Sequence, residues 1–528
     1  MPAKLIRPLL LLYGLLNAAL YSSLLPLWEG FDEEFHYGYV QYLGVHHRFP
    51  VLGHTGLSQE VNQSIGLLPM SHAMVKSLHL TGVRTFDQYF SLPDPVRRQL
   101  YHEARRIPPG FAVQESDAYS LNYEVHQAPL AYLVLAVPDR LLARVPLPRR
   151  VWILRLLVSM ACVLLMLRGA FALAGEAGLR SSFAAILVFL VFSCQMFWAT
   201  IAHIGNDWLA VPLAVWLIVW ALRCHLETTL RRSLWLAVVL ALGLLTKAYF
   251  LVFVPLYLVA TIVWYRKGSL TVPWLAWLAV WLGVPALVAG PWYVRNWVVF
   301  GNLSGRLEES SGVAGALASL AAVPWLKSIP YMARGAFWMG NSSFTDFSVR
   351  TMDLVLVLLG IGLCLYVRTL SRGRWTEAIL WAPVVLFCAA MLYGSGSSYN
   401  SSQGLLIAAS PWYLQAVMTS LLCMAMLGCQ RSGSWGRWLA RATVVLWGYI
   451  LAATYVAKLF PLYGGFVGGR STLRDITHWY LMDSSRAADL LGTTAMVPAV
   501  WLVTLLAILL PILLAAVTVL IRADVSAD

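Results

Sequence analysis

The feature that most constrains this chain is the recurrence of uninterrupted apolar runs of roughly 18–25 residues, the length a helix needs to cross a hydrocarbon core. Such runs lack the apolar–polar alternation of a lipid-facing barrel strand, and lipid demands that each backbone polar group be bonded internally. With 59% hydrophobic and only 12% charged residues, and a mean hydropathy of +0.69, an all-α polytopic membrane protein is expected. About twelve spans are read: 5–26, 151–173, 182–202, 207–223, 233–248, 249–265, 273–293, 351–369, 377–393, 411–428, 438–458 and 496–521. The first follows Lys4 and Arg7 as a signal peptide would. It is long for one and has no small-x-small cleavage site, so it reads as a retained helix.

A net charge of +13 in a soluble domain would suggest nucleic acid. Here Lys and Arg cluster in short loops between apolar runs, which is orientation chemistry towards a lipid bilayer and gives no nucleic-acid partner. The segment Ala128–Leu142, with Pro129, Pro138, Asp139 and Arg140, is too short to span. If it does not cross, Arg180, Arg223, Arg231, Arg232, Arg266, Lys267, Arg368, Arg372, Arg374, Arg431, Arg437 and Arg522 all share the side of Lys4 and Arg7. It is therefore read as an interfacial helix in a long first external loop, 27–150, with both termini cytoplasmic. The seven Cys lie within or at the ends of apolar runs and form no CxxC, so they are small hydrophobes.

Where the first span ends, the chain reads Glu29-Gly30-Phe31-Asp32-Glu33-Glu34-Phe35-His36-Tyr37. Carboxylates and an imidazole crowd a boundary that structural proteins fill with Trp, Tyr or Lys. A helix continuing from Phe31 would put Asp32 and His36 on one face, with Asp32 a general base oriented by the imidazole. The alternative is an acidic first turn stabilised by the helix dipole. One His beside a DEE run is a nonspecific metal signal, so no metal site is assigned, though a divalent cation would suit the carboxylates.

On the same side lie Lys247 and Arg295, cations where the positive-inside rule disfavours them. Each either binds an anion such as a phosphate or snorkels to headgroups. Asp207, in His203-Ile204-Gly205-Asn206-Asp207, reads first as a helix N-cap. His126, in Asn122-Tyr123-Glu124-Val125-His126-Gln127-Ala128-Pro129-Leu130, could approach Asp32 if the loop folds back. Acid, imidazole and fixed cations at one membrane face suit a lipid-phosphate substrate. A secondary transporter or lipid flippase is the rival from another class, but its ionisable groups belong near the midplane.

These motifs resemble those of the polytopic GT-C superfamily glycosyltransferases, most closely bacterial members related to aminoarabinose and protein O-mannosyl transferases. The likeness rests on Gly30–Tyr37, Arg48-Phe49-Pro50, His126–Leu133, Asn206-Asp207, Leu245-Thr246-Lys247 and Trp292–Asn296. It covers roughly residues 1–300, a catalytic membrane module; 301–528 adds an external loop and further helices. Where such enzymes usually read His-Pro-Pro-Leu, this chain reads His126-Gln127-Ala128-Pro129-Leu130. The resemblance implies transfer of a sugar from a polyprenyl-phosphate donor to an acceptor hydroxyl, with inversion, at the external face of the cell (inner) membrane. It implies Asp32, or alternatively Glu33, as catalytic base, and Lys247 and Arg295 as the cations that bind the lipid phosphate; His36, His126 and Asp207, read from the residues themselves, complete the candidate substrate-binding set. The acceptor, whether glycan, lipid or protein in the cell envelope, is not encoded in any motif.

Overall fold

The computed structural model describes residues 5–71, 75, 82–110, 121–266, 273–303, 305, 312–338, 347–370, 375–467 and 472–522. Lys4, Lys267, Arg372 and Arg374 of the charge reading lie outside the described residues. Among the described residues the architecture is entirely helical, with two isolated bridges, Gly56 to Leu121 and Met70 to Thr85.

Among the described residues seven helices are long and apolar enough to cross a membrane: Leu147–Ala177, Asp207–Leu226, Val349–Arg368, Thr376–Ser401, Pro411–Arg431, Gly433–Tyr463 and Ala499–Arg522. Two bent pairs, Ser181–Phe192 with Gln195–Ile201 and Trp274–Val288 with Gly290–Phe300, raise the number to nine. The chain is thus a multi-pass membrane protein, with up to nine such units among the described residues where about twelve spans are expected. The difference has local causes. The first helix, Ile6–Leu24, is diluted by Arg7, Asn17 and three Ser and Tyr near its end. The run expected as spans 233–248 and 249–265 breaks at Leu245–Lys247 into Leu230–Leu244, a 3₁₀ turn Ala248–Val252, and Phe253–Arg266.

The break after Phe192 bends the chain by 61°. The Met196 N–H then donates to the Phe337 carbonyl at 3.1 Å, and the Gln415 amide donates to the Ala336 carbonyl at 2.7 Å. Irregular backbone at this depth is tolerated because protein groups satisfy it. The bend carries Ala202–Asn206 to the region where the first helix exits.

The segment 128–142 is the short helix Leu130–Leu141, about 18 Å long at 1.5 Å per residue and too short to span. Its Asp139 turns inward, accepting from the Tyr37 hydroxyl at 2.9 Å and lying 3.6 Å from Arg150 of the long helix Leu147–Ala177. Arg150 also pairs with Glu60, which the Gln41 amide bonds in turn. This buried network ties the second helix, Glu33–His46, to the loop and to the bundle.

Helix Val349–Arg368 packs against Gln415–Arg431 at small residues. A Cβ on Gly428 would lie 2.2 Å from the Gly362 carbonyl oxygen, backbone that cannot rotate away. Gly428→Ala is expected to destabilise the protein by about 1–3 kcal/mol through overpacking, read as a lower unfolding midpoint in detergent. An unchanged midpoint would show that the two helices separate freely.

Candidate active site

The first helix stops at Leu25-Pro26, where Pro has no N–H to continue the ladder. The chain turns through Trp28 (φ 63°), whose indole donates to Ser64 at 2.8 Å, and restarts at Glu33. Asp32 is the N-cap, in the left-handed region at φ 54°, and its side chain makes no capping bond. Its carbonyl instead accepts from the Phe35 and His36 N–H groups at 3.1 and 3.0 Å. The expected helix from Phe31, with Asp32 and His36 on one face, therefore starts two residues later. The left-handed turn points the Asp32 carboxyl elsewhere. A non-Gly residue pays about 1–2 kcal/mol for this geometry, so the surroundings must hold it. Gly30 allows the close approach that does so: a Cβ there would meet the Cβ of His203 at 2.5 Å.

Asp32 is half-buried and accepts a hydrogen bond from the Tyr123 side chain. Burial raises its pKa above the usual carboxylate value, while Tyr123 and the positive field of Lys247 oppose the rise. Glu33 is committed elsewhere. Its two oxygens meet Arg155 (Nε to Oε1, 2.7 Å), and Oε1 also accepts from the Ile204 N–H at 2.9 Å, all fully buried. Glu34 is buried with neither oxygen hydrogen-bonded. Burial first, then the neighbouring carboxylates, push its pKa well up.

His36 does not touch Asp32 as expected. Its Nδ1 bonds the Tyr132 hydroxyl at 2.8 Å and lies 3.6 Å from Glu124 Oε2. Burial and the positive neighbours His203, Lys247 and His126 lower its pKa, keeping the ring neutral. The loop carrying His126 does fold back, but it delivers Tyr123 to Asp32, while His126 Nδ1 bonds the Tyr123 carbonyl.

Asp207 is not the N-cap; Asn206 occupies that position. Both Asp207 oxygens lie 2.7 Å from Lys247 Nζ. Lys247 is thus an ion-paired cation, 4.8 Å from the ring centroid of Tyr413. Arg295, half-buried, meets the Pro50 carbonyl at 3.3 Å and lies 4.7 Å from the Trp292 ring centroid. Among the described residues it has no carboxylate within ion-pair distance. Phe49 packs edge-on against Trp292 at 5.6 Å, so Arg48-Phe49-Pro50 and Trp292–Asn296, far apart in the chain, meet on one surface.

Five residues at this site were not anticipated. Arg155 sits in the apolar run Val151–Ser159, and a charge within a membrane span is itself a functional signal. Tyr123 and Glu124 lie in a quoted motif but are placed by the 3₁₀ turn Tyr123–His126, which spacing alone does not foretell. Trp412 stacks on Phe31 at 4.4 Å, and Tyr413 faces Lys247; no local pattern links them to residue 31. Among the described residues no group of three or more His, Cys, Asp and Glu is arranged to hold a metal ion.

Burial and the field of Asp32 raise the Glu124 carboxyl to about 8. A folded-state pKa above the unfolded one stabilises the fold at low pH. That contribution is lost as the pH climbs from the ordinary glutamate value through about 8. Between about pH 5 and about pH 9 the wild type should therefore lose stability relative to Glu124→Gln. Parallel melting curves across that range would contradict the assignment.

No family model matches the chain, and no curated protein matches it. Among solved structures it is similar to ArnT from Cupriavidus metallidurans bound to undecaprenyl phosphate, at 14% identity and a TM-score of 0.41, over 87% of this chain and 72% of that one. It is also similar to the oligosaccharyltransferase AglB from Archaeoglobus fulgidus in complex with an inhibitory peptide and a dolichol-phosphate, at 14% identity and a TM-score of 0.35, over 92% of this chain and 56% of that one. A second Archaeoglobus fulgidus oligosaccharyltransferase structure, tethered with an acceptor peptide, matches at 13% identity and a TM-score of 0.34, over 92% and 55%. The chain spans little more than half the length of these oligosaccharyltransferases.

Proposed function

We propose that this protein is a membrane glycosyltransferase moving a sugar from a polyprenyl-phosphate carrier to an acceptor hydroxyl at the external face of the cell membrane, with both termini cytoplasmic. The observation that carries the reading is Asp32: a half-buried carboxylate held in a left-handed turn where the first helix exits, bonded by Tyr123 and within the field of Lys247. A carboxylate so placed is built to take a proton from a hydroxyl at the membrane boundary.

In this reading Asp32 accepts the acceptor's proton as the acceptor oxygen attacks the anomeric carbon. The bond from that carbon to the phosphate oxygen breaks, and the lipid phosphate leaves with the electron pair. Attack opposite the leaving group inverts the anomeric centre. Polyprenyl phosphate is already a good leaving group, so a cation at the departing oxygens suffices and no cofactor is needed. Arg295, lacking a carboxylate partner among the described residues, supplies that cation from its aromatic frame. Lys247 shapes the local field through its pair with Asp207. Glu33 acts as an anchor, since a carboxylate engaged by Arg155 and the Ile204 N–H has little capacity left as a base. The catalytic module is assigned to residues 1–300, completed by Trp412 and Tyr413.

The test is binding of polyprenyl phosphate to the purified protein in nanodiscs. Arg295→Ala should weaken it by about tenfold or more, the value of a charge-assisted hydrogen bond. Lys247→Ala should also weaken it, by releasing Asp207 as an uncompensated negative charge. Unchanged affinity in both variants would overturn the phosphate assignment.

A further inference from the structure

We propose that Glu124, Asn206 and Tyr249 form a subsite for the neutral, hydroxyl-bearing ring of the sugar being transferred, beside the Lys247–Asp207 pair. This rests on the glycosyltransferase reading and deepens it by naming the class of sugar.

Three buried polar atoms on residues around that pair have no hydrogen-bond partner: Glu124 Oε2, Asn206 Oδ1 and the Tyr249 hydroxyl. Glu124 is 6% exposed and Asn206 1%. Buried polar groups are nearly always bonded, so several orphans around one charged pair mark a place where a ligand supplies the partners. They belong to one locality. Glu124 Oε2 lies 3.6 Å from His36 Nδ1, and a Cβ on Gly205 would stand 3.6 Å from the His36 ring. Asn206 adjoins Asp207, whose oxygens lie 2.7 Å from Lys247 Nζ, and that nitrogen is 5.6 Å from the Tyr249 ring centroid. The Asn206 amide nitrogen is occupied, donating to Gln127 at 3.2 Å, which leaves the oxygen as the free end.

Two oxygens that accept and a phenol that both donates and accepts match a ring of hydroxyl groups. The raised pKa of Glu124 keeps it protonated at neutral pH, so it can donate as well. Charge decides against ionised sugars. Lys247 and Asp207 already neutralise each other, so an ionised sugar would give up its hydration in a buried site whose paired charges are spent on one another, and a uronic acid would in addition face the Asp32 carboxylate. A neutral sugar meets neither penalty.

The test uses the full-length protein in nanodiscs with short-chain polyprenyl phosphate, bare or carrying a neutral hexose, a hexuronic acid or an amino-hexose, and separately the free methyl hexoside. The neutral hexose should bind about tenfold tighter than the bare phosphate, and neither charged sugar should show that gain. Tyr249→Phe, which removes only a hydroxyl, and Asn206→Ala should each cut the gain severalfold while bare phosphate binds as before. The proposal is overturned if charged sugars bind as tightly as the neutral one, or if both variants keep the full gain. Should bare phosphate not bind at all, the donor reading fails on its own. The subsite is then decided by the methyl hexoside: binding that Tyr249→Phe abolishes supports it, and no binding overturns it.

Discussion

Asp32→Asn should lower transfer by about 10²- to 10⁴-fold, the usual worth of a positioned general base, while the protein folds and binds polyprenyl phosphate as before. Asn keeps the shape and can still accept from Tyr123, but it cannot take the acceptor's proton. The loss should therefore fall on turnover rather than on donor affinity. Because burial lifts the Asp32 carboxyl above the ordinary carboxylate range, the wild-type rate should fall on acidification at a pH above that of a free aspartate. A purified Asp32→Asn enzyme with wild-type turnover would remove Asp32 from the chemistry.

Arg155→Met should destabilise the fold by about 3–5 kcal/mol, because it strands the fully buried Glu33 carboxylate without its counter-charge. The guanidinium does more than neutralise Glu33. It also donates to the Leu25 carbonyl at 2.6 Å and the Pro26 carbonyl at 2.9 Å, clamping the chain on either side of the strained turn that carries Asp32. Replacing both partners, Glu33→Leu with Arg155→Met, should cost less than Arg155→Met alone, since no buried charge is then left uncompensated. Reversible unfolding in mixed micelles measures both. Equal losses in the single and double variants would show that the carbonyl clamp, and not the ion pair, carries the stability.

Much of this was legible in the sequence, and the parts that were not have physical reasons. Spans such as Leu147–Ala177 and Ala499–Arg522 announce themselves because lipid admits only long apolar helices. The acidic exit was legible because carboxylates are rare at a bilayer boundary. Its geometry was not: the left-handed Asp32 depends on Gly30 packing under His203, a contact between residues far apart in the chain. Lys247 was visible as a misplaced cation, but its partner Asp207 was masked by its look as an N-cap. Segments near Leu245 read as two continuous spans because hydropathy is blind to the 3₁₀ turn after Lys247. Trp412 and Tyr413 carry no local signature, since their meaning comes only from packing on Phe31 and Lys247.

The most direct test of the central claim is mass spectrometry of envelope glycans from cells lacking this protein, complemented with wild type or with Asp32→Asn at matched membrane levels. Loss of a single sugar increment on deletion, restored by wild type and not by Asp32→Asn, is the predicted result, and the mass identifies sugar and acceptor together. Full restoration by Asp32→Asn, or an envelope unchanged by deletion, would contradict a transferase built around Asp32.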